Sequence, residues 1–281
     1  MWKRVLSPWC LCALFAMQAH ATTSSSIYSL SADPNTFVPD QFSSVNPALQ
    51  TVSNIATLGD GSLGFNGGIT QGIGGLYAIG NDSNGAGSFY SVSLDGAISL
   101  IGTAGGLGDG FFGGLAFDSA NGTFYAAVND NSGNSSLYSI TAGGVATNLS
   151  KALGTGFSGL AYDSNNGLFY GIGNDNSGNS TLYDFSLNGT IDTVASIGMG
   201  FGGLTYDPQV DAFWAIQGVN NAGSQLFQLS PAGAESSSFM TLGDGFTELT
   251  TLTPEPSSFT DLAVVLLIVG LGRLRWSRSR D

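Results

Sequence analysis

Three stretches decide the fold: Gly110-Phe111-Phe112-Gly113-Gly114-Leu115-Ala116-Phe117-Asp118, Gly156-Phe157-Ser158-Gly159-Leu160-Ala161-Tyr162-Asp163 and Gly200-Phe201-Gly202-Gly203-Leu204-Thr205-Tyr206-Asp207. They align almost without gaps. An earlier copy centres on Ile69 and a last one on Leu249, so the anchoring apolar residues are 46, 45, 44 and 45 residues apart. A period near 45 made of strand-like pieces is the mark of a β-propeller blade.

Four strands are read in each period. In the copy around Leu115, strand a covers 112–117 and strand b covers 123–128 after the turn Asp118-Ser119-Ala120-Asn121-Gly122. Strand c covers 136–141, and strand d follows Gly143-Gly144 over 145–152. Apolar alternation through Leu137, Ile140 and Val145, with Asp, Asn and Gly at the turns, supports hairpins. No stretch of the body carries helical spacing.

The two ends complete one another. Residues 27–30 read as a strand b, 40–48 as a strand c and 50–58 as a strand d, with no strand a before them. The last copy, Phe246-Thr247-Glu248-Leu249-Thr250, is a strand a without its partners. Pairing the two predicts an all-β, five-bladed propeller closed by a blade shared between the chain ends, with no free sheet edge at the closure. The alternative for five such repeats is an open β-solenoid.

The Gly pairs 67–68, 113–114 and 202–203 are expected where inner strands crowd around a narrow axis. None stands between a strand and a helix, so they are not phosphate loops.

Outside the repeats, Met1-Trp2-Lys3-Arg4, an apolar run over 5–17 and Ala19-His20-Ala21 form the layout of a secretory signal peptide cut near Ala19 and Ala21. At the other end Pro254-Glu255-Pro256 precedes an apolar run over 262–271 and then Arg273, Arg275, Arg278 and Arg280. Eleven residues between Asp261 and Arg273 fall short of the roughly 17 that cross a bilayer unaided. The arginines would stay on the cytoplasmic side. The expected division is therefore a signal peptide over 1–21, a repeat domain over 22–252 and a tail over 253–281.

The order and spacing of these three tail elements resemble the PEP-CTERM sorting tail of exported Gram-negative proteins. The resemblance covers about the last 28 residues. It implies passage through the Sec translocon, transient anchoring in the inner membrane and recognition by an exosortase. It further implies a cell-surface or extracellular destination in a host that makes exopolysaccharide, as in a biofilm. An ordinary C-terminal membrane anchor is the plain alternative.

Composition narrows the chemistry. His20, Cys10 and Cys12 lie in the leader, so the body has neither imidazole nor thiol for metal ligation, nucleophilic attack or base catalysis. Lys151 is its one basic residue, against seventeen Asp and Glu. That excludes nucleic acid, whose phosphates need many cations, and makes divalent cations conceivable partners.

The b–c loops and d–a connections of a propeller share one face. Here they carry Asn81-Asp82, Asn129-Asp130, Asn174-Asp175 and Asn220-Asn221, together with Gly59-Asp60-Gly61, Gly108-Asp109-Gly110 and Gly243-Asp244-Gly245. Asp60, Asp109, Asp244 and Glu248 are the candidate Ca²⁺ ligands, since calcium takes carboxylate and carbonyl oxygens. No loop has the spaced acidic calcium pattern, and Asn, Asp and Gly also form turns with no further duty. Phe111, Trp214 and Tyr90 are candidate sugar-stacking aromatics, with Trp214 expected instead between blades like Tyr77, Tyr125 and Tyr170. The reading that follows is a non-catalytic surface or matrix module, with no resident cofactor beyond calcium. Its alternatives are a carboxylate-only glycosidase or polysaccharide lyase using Glu248 with Asp244, and a purely structural exported protein.

Overall fold

Every period folds into one four-stranded antiparallel sheet in the computed structural model of the chain, which describes residues 25–31, 41–58, 64–65, 67–81, 86–103, 107, 111–130, 132–219, 223–236 and 238–253. The first blade holds β1 (Ser26–Ser31), β2 (Gln41–Asn46) and β3 (Thr51–Thr57). The second holds β4 (Ile69–Gly72), β5 (Gly75–Asn81), β6 (Gly87–Val92) and β7 (Ile98–Thr103). The third holds β8 (Phe111–Asp118), β9 (Thr123–Asn129), β10 (Asn134–Ile140) and β11 (Ala146–Thr155). The fourth holds β12 (Phe157–Asp163), β13 (Leu168–Asn174), β14 (Asn179–Phe185) and β15 (Ile191–Met199). The fifth holds β16 (Phe201–Asp207), β17 (Ala212–Val219), β18 (Gly223–Leu229) and β19 (Met240–Gly243).

The closing strand is β20 (Phe246–Leu252), which joins the first blade in the order β20-β1-β2-β3. Its register sets Ser26 opposite Leu252 and Leu30 opposite Glu248. The ring is thus a five-bladed propeller and not a solenoid. An apolar cluster fills the closing interface, where Ile27 and Val45 of the first blade meet Trp214, Ile216, Leu226 and Met240 of the fifth. Comparable clusters fill the other four interfaces. A strand b is therefore covered on both faces, whereas the outer β15 is exposed or half-buried except at Ile197.

The paired glycines have the crowding expected of them. A Cβ on Gly159 would lie 2.9 Å from the Leu204 nitrogen and 3.2 Å from the Gly203 carbonyl carbon. Gly114 meets Leu160 in the same way and holds φ at +125°, where an L-residue is strained. Successive inner strands therefore approach backbone to backbone and in parallel.

A second contact repeats at the rim. The c–d turn glycines Gly96, Gly144 and Gly233 sit on Ala56, Gly102 and Ala195 of the preceding blade's outer strand. Between the third and fourth blades that place goes to Lys151, whose Nζ donates to the Gly189 carbonyl at 2.6 Å and lies 5.6 Å from the Phe185 ring centre. Lys151 thus stands on β11, the edge strand of its blade. One expectation needs correcting: Val145 is 64 % exposed and sits in the turn ahead of β11, so it is no core alternation partner of Leu137. Strand d begins one residue later than the apolar pattern suggests.

Candidate functional site

Hydrogen bonds tie the b–c loops to the d–a connections on one face. Asn174 N donates to Gly156 O at 3.1 Å, Gly200 N to Gly178 O at 3.0 Å, and Asn81 N to Gly64 O at 2.8 Å. The predicted common face therefore exists. On it, Asp175 is the hub of a closed turn. Its carboxylate accepts the backbone N–H of Ser177 and Asn179, each at 2.8 Å, and the Asn179 side-chain amide at 2.8 Å. Asp130 repeats this with Ser132 and Asn134. Hydrogen bonds from Asn179 hold the Asp175 carboxyl below its ordinary range, and those from Asn134 do the same for Asp130. In these two loops the acids are turn-formers.

Of the predicted calcium ligands, Asp60 and Asp109 lie outside the described residues. Asp244 occupies the turn between β19 and β20, flanked by Gly243 and Gly245 at positive φ, with its Oδ1 close to Gly223 at the end of the b–c loop. Glu248 is buried and takes, in the shared blade, the place that Gly68, Gly114, Gly159 and Gly203 hold in the others: the Cβ built on Gly203 points at its Cα, 3.2 Å away. Among the described residues no group of three acids, histidines or cysteines is close enough to hold a metal. Ala19, Ala21, Pro254, Glu255, Pro256, Arg273, Arg275, Arg278 and Arg280 also lie outside the described residues.

The aromatic candidates separate. Phe111 is 63 % exposed at the start of β8, on the loop face. Tyr90 does not belong with it. Strand c of the second blade turns this ring into the first interface, where it packs edge-on to Phe65 at 5.0 Å. Trp214 is buried between the fifth and first blades, edge-on to Phe239 at 5.1 Å, as its kinship with Tyr77, Tyr125 and Tyr170 implies.

Two repeated polar devices escape a reading based on loops. At the end of strand b, Asn174 donates to Phe201 O at 3.0 Å, Ser180 Oγ donates to Asn174 Oδ1 at 2.6 Å, and Phe201 N donates to Ser180 Oγ at 2.9 Å. Asn129 and Ser135 grip Phe157 of the next blade in the same pattern. The signal was there: each Asn is followed six residues later by Ser, its cross-strand partner. In the second blade Asn81 faces Gly87, which has no hydroxyl, and the buried Asn81 Oδ1 lacks a hydrogen-bond partner.

The second device lies on the opposite face. Asp118, Asp163 and Asp207 at the ends of strand a are buried and accept backbone N–H groups from the following turn, including Ala120 at 2.9 Å and Asn165 at 2.8 Å. The Tyr206 hydroxyl donates to Asp211 at 2.6 Å and accepts from Asn165 at 2.7 Å. Burial first, then hydrogen bonds to Asp211 and Asp163, pushes it far above the ordinary phenol range. These carboxylates hold turns and blades.

No protein-family description matches the sequence, and no curated protein matches it. Solved structures do match in shape. A chain from a nidogen/laminin complex superposes with a TM-score of 0.54 at 10 % identity, over 82 % of this chain and 98 % of that one. TolB from Acinetobacter baumannii gives 0.50 at 12 % identity, over 76 % and 52 %. A structural-genomics protein of unknown function from Bacteroides thetaiotaomicron gives 0.50 at 18 % identity, over 78 % and 58 %. The chain thus spans little more than half the length of the last two. At these identities the likeness shows the propeller fold alone. Among the described residues no helix is long and apolar enough to cross a membrane, and this leaves membrane β-barrels unaddressed.

Proposed function

We propose that the protein is an exported, non-catalytic module of the cell surface or extracellular matrix that binds or organises exopolysaccharide through the face of b–c loops and d–a connections. The observation that carries this reading is the use of the repeated polar groups. The strand-a acids, the strand-b Asn and the strand-c Ser are engaged with backbone or with the neighbouring blade. The ring is then a scaffold, and what differs from blade to blade is the loop face with Phe111 and Asp244. The leader and the Pro254-Glu255-Pro256 tail support export through Sec and sorting by an exosortase, with transient anchoring on the way.

The test is co-sedimentation of the full chain with purified bacterial exopolysaccharide, with new reducing ends and unsaturated sugars assayed in the same tubes. Retention without chain shortening is expected. Absence of retention by a folded protein overturns binding and leaves a structural role. Mass spectrometry of surface-released protein is expected to find no peptide carrying Arg280, whose recovery there would overturn sorting. One observation favours an enzyme: a buried carboxylate, Glu248, where four blades have glycine. Polysaccharide cleavage abolished by Glu248→Gln would establish the glycosidase or lyase.

A further inference from the structure

The face opposite the loops carries a feature that folding does not require. Ile73 and Val210 occupy a–b turns, and Leu49, Leu94 and Val145 occupy c–d turns. All five are between 51 % and 70 % exposed. Hairpin tips are ordinarily Asn, Asp, Gly, Pro or Ser, each for a conformational reason, and an apolar side chain there gains nothing from the blade. Singly exposed apolar residues are common on soluble proteins. These five gather on one face, and they fall on the first, second, third and fifth blades. The described exposed apolar side chains elsewhere are divided between the loop face (Phe111, Met199), the outer strands (Leu100, Leu149) and Phe239 beside Trp214.

A second, independent observation says what covers this face. Both ends of the described body leave from it, because Ser26 pairs with Leu252 where β1 starts and β20 stops. Ser25 Oγ is held by Asp207 at 2.8 Å. Thr253 is clamped by Gln71, its N–H and hydroxyl donating to Oε1 at 2.8 and 3.0 Å while Nε2 donates to the Thr253 carbonyl at 3.1 Å. The residues that follow Thr253 include the ten-residue run 262–271, with no charge in it, and then four arginines. The five tips are spread around a ring of turns and do not line a groove, so they suit a plane better than a peptide.

We propose that the a–b and c–d turn face of the propeller rests on a neutral lipid surface, with Leu49, Ile73, Leu94, Val145 and Val210 as its contacts, so that the loop face looks outward. This deepens the anchoring part of the reading above and rests on it. The surface is specified as zwitterionic because the face is acidic on balance, Lys151 being its one cation among the described residues. Lys151 is bound to Gly189, and Asp95 and Asp211 adjoin Leu94 and Val210. Asp95 is kept ionised by hydrogen bonds from Ser93 and Ala97, so an anionic lipid surface would repel it.

The test uses the full chain with Cys10→Ser and Cys12→Ser, bound to phosphatidylcholine vesicles that carry a nitroxide quencher in the lipid headgroup. Single cysteines replace Leu94 or Val210 on one face and Ser132 or Ser177 on the other, each labelled with a small fluorophore. Flotation of the vesicles reports anchoring separately. The expected result is flotation with quenching at 94 and 210 at least about twofold that at 132 and 177, as interfacial contact requires. Flotation with equal quenching on both faces overturns the proposal and leaves the anchor intact. Failure to float, with no label quenched, overturns both.

Discussion

Substituting Gly114 by Ala separates the two reasons a glycine stands at the inner strand. The first reason is conformational: at φ +125° an L-residue is strained by about 1–3 kcal/mol. The second is steric: the new methyl would meet the Leu160 nitrogen and stand 2.8 Å from Leu160 Cβ. Forcing a methylene-sized group into a packed site costs about 1–3 kcal/mol. Two other glycines isolate the parts. Gly133 has φ +78° and nothing within 4 Å, and Gly159 has ordinary φ with the Leu204 nitrogen at 2.9 Å. Gly133→Ala and Gly159→Ala should each lose about 1–3 kcal/mol, and Gly114→Ala about 3–5 kcal/mol. For a body of this size each kcal/mol lowers Tm by about 2–4 °C, so Gly114→Ala should melt about 6–20 °C below the parent. Thermal unfolding followed by circular dichroism measures all three. If Gly114→Ala melts no lower than Gly133→Ala, the inner strands do not crowd, and the glycines serve only their backbone angles.

The remaining expectations concern the polar devices and the loop face. Ser180→Ala removes the acceptor of the buried Phe201 N and a donor to Asn174, and should cost about 1–3 kcal/mol in urea unfolding; a loss under half a kcal/mol would refute the blade staple. Gly87→Ser supplies the hydroxyl that Asn81 Oδ1 lacks and should stabilise by about 1 kcal/mol, whereas a drop in Tm would show that the second blade has no room for it. Tyr206 stays protonated in the fold after an unfolded tyrosine, with its pKa near 10, has begun to ionise. Its contribution is therefore complete below about pH 10 and is lost as pH rises further; Tyr206→Phe should flatten the fall in urea stability between pH 9 and 11, and an unchanged slope would refute the assignment. If Asp60, Asp109, Asp244 and Glu248 hold calcium, millimolar Ca²⁺ raises the Tm of the full chain by mass action, and the triple change of the three Asp to Asn abolishes the rise. A Tm indifferent to both Ca²⁺ and EDTA removes the metal.

The ring was legible because its determinants repeat in the chain. Leu115, Leu160 and Leu204 recur with their glycines, and the incomplete ends could only be completed by each other. Tyr90 was misread because the alternation that turns Phe89 toward the third blade turns the neighbouring ring to the opposite face, and only the fold shows Phe65 covering it there. The Asn–Ser grip on the next blade was invisible for a different reason. Its partners are a backbone carbonyl and N–H in another blade, and neither has a letter in the sequence. The acids illustrate the same limit from the other side. Asp175 and Asp244 are equally conspicuous as letters, yet hydrogen bonds fix Asp175 as a turn former, and sequence offers no count of such bonds.

The pairing of β1 with β20 also governs when the protein can finish folding. Ser29 bonds to Glu248 across 219 residues, whereas Ser180 reaches Phe201 across 21. A loop ten times longer costs about 2 kcal/mol more to close, and contacts so distant in sequence slow folding. Made from its N-terminus, the chain holds β1–β3 as an unclosed sheet until residues 246–252 have been synthesised. Ring closure is thus the last event, timed by the arrival of the final strand, and a chain threaded through a narrow passage meanwhile would meet no completed ring to jam it.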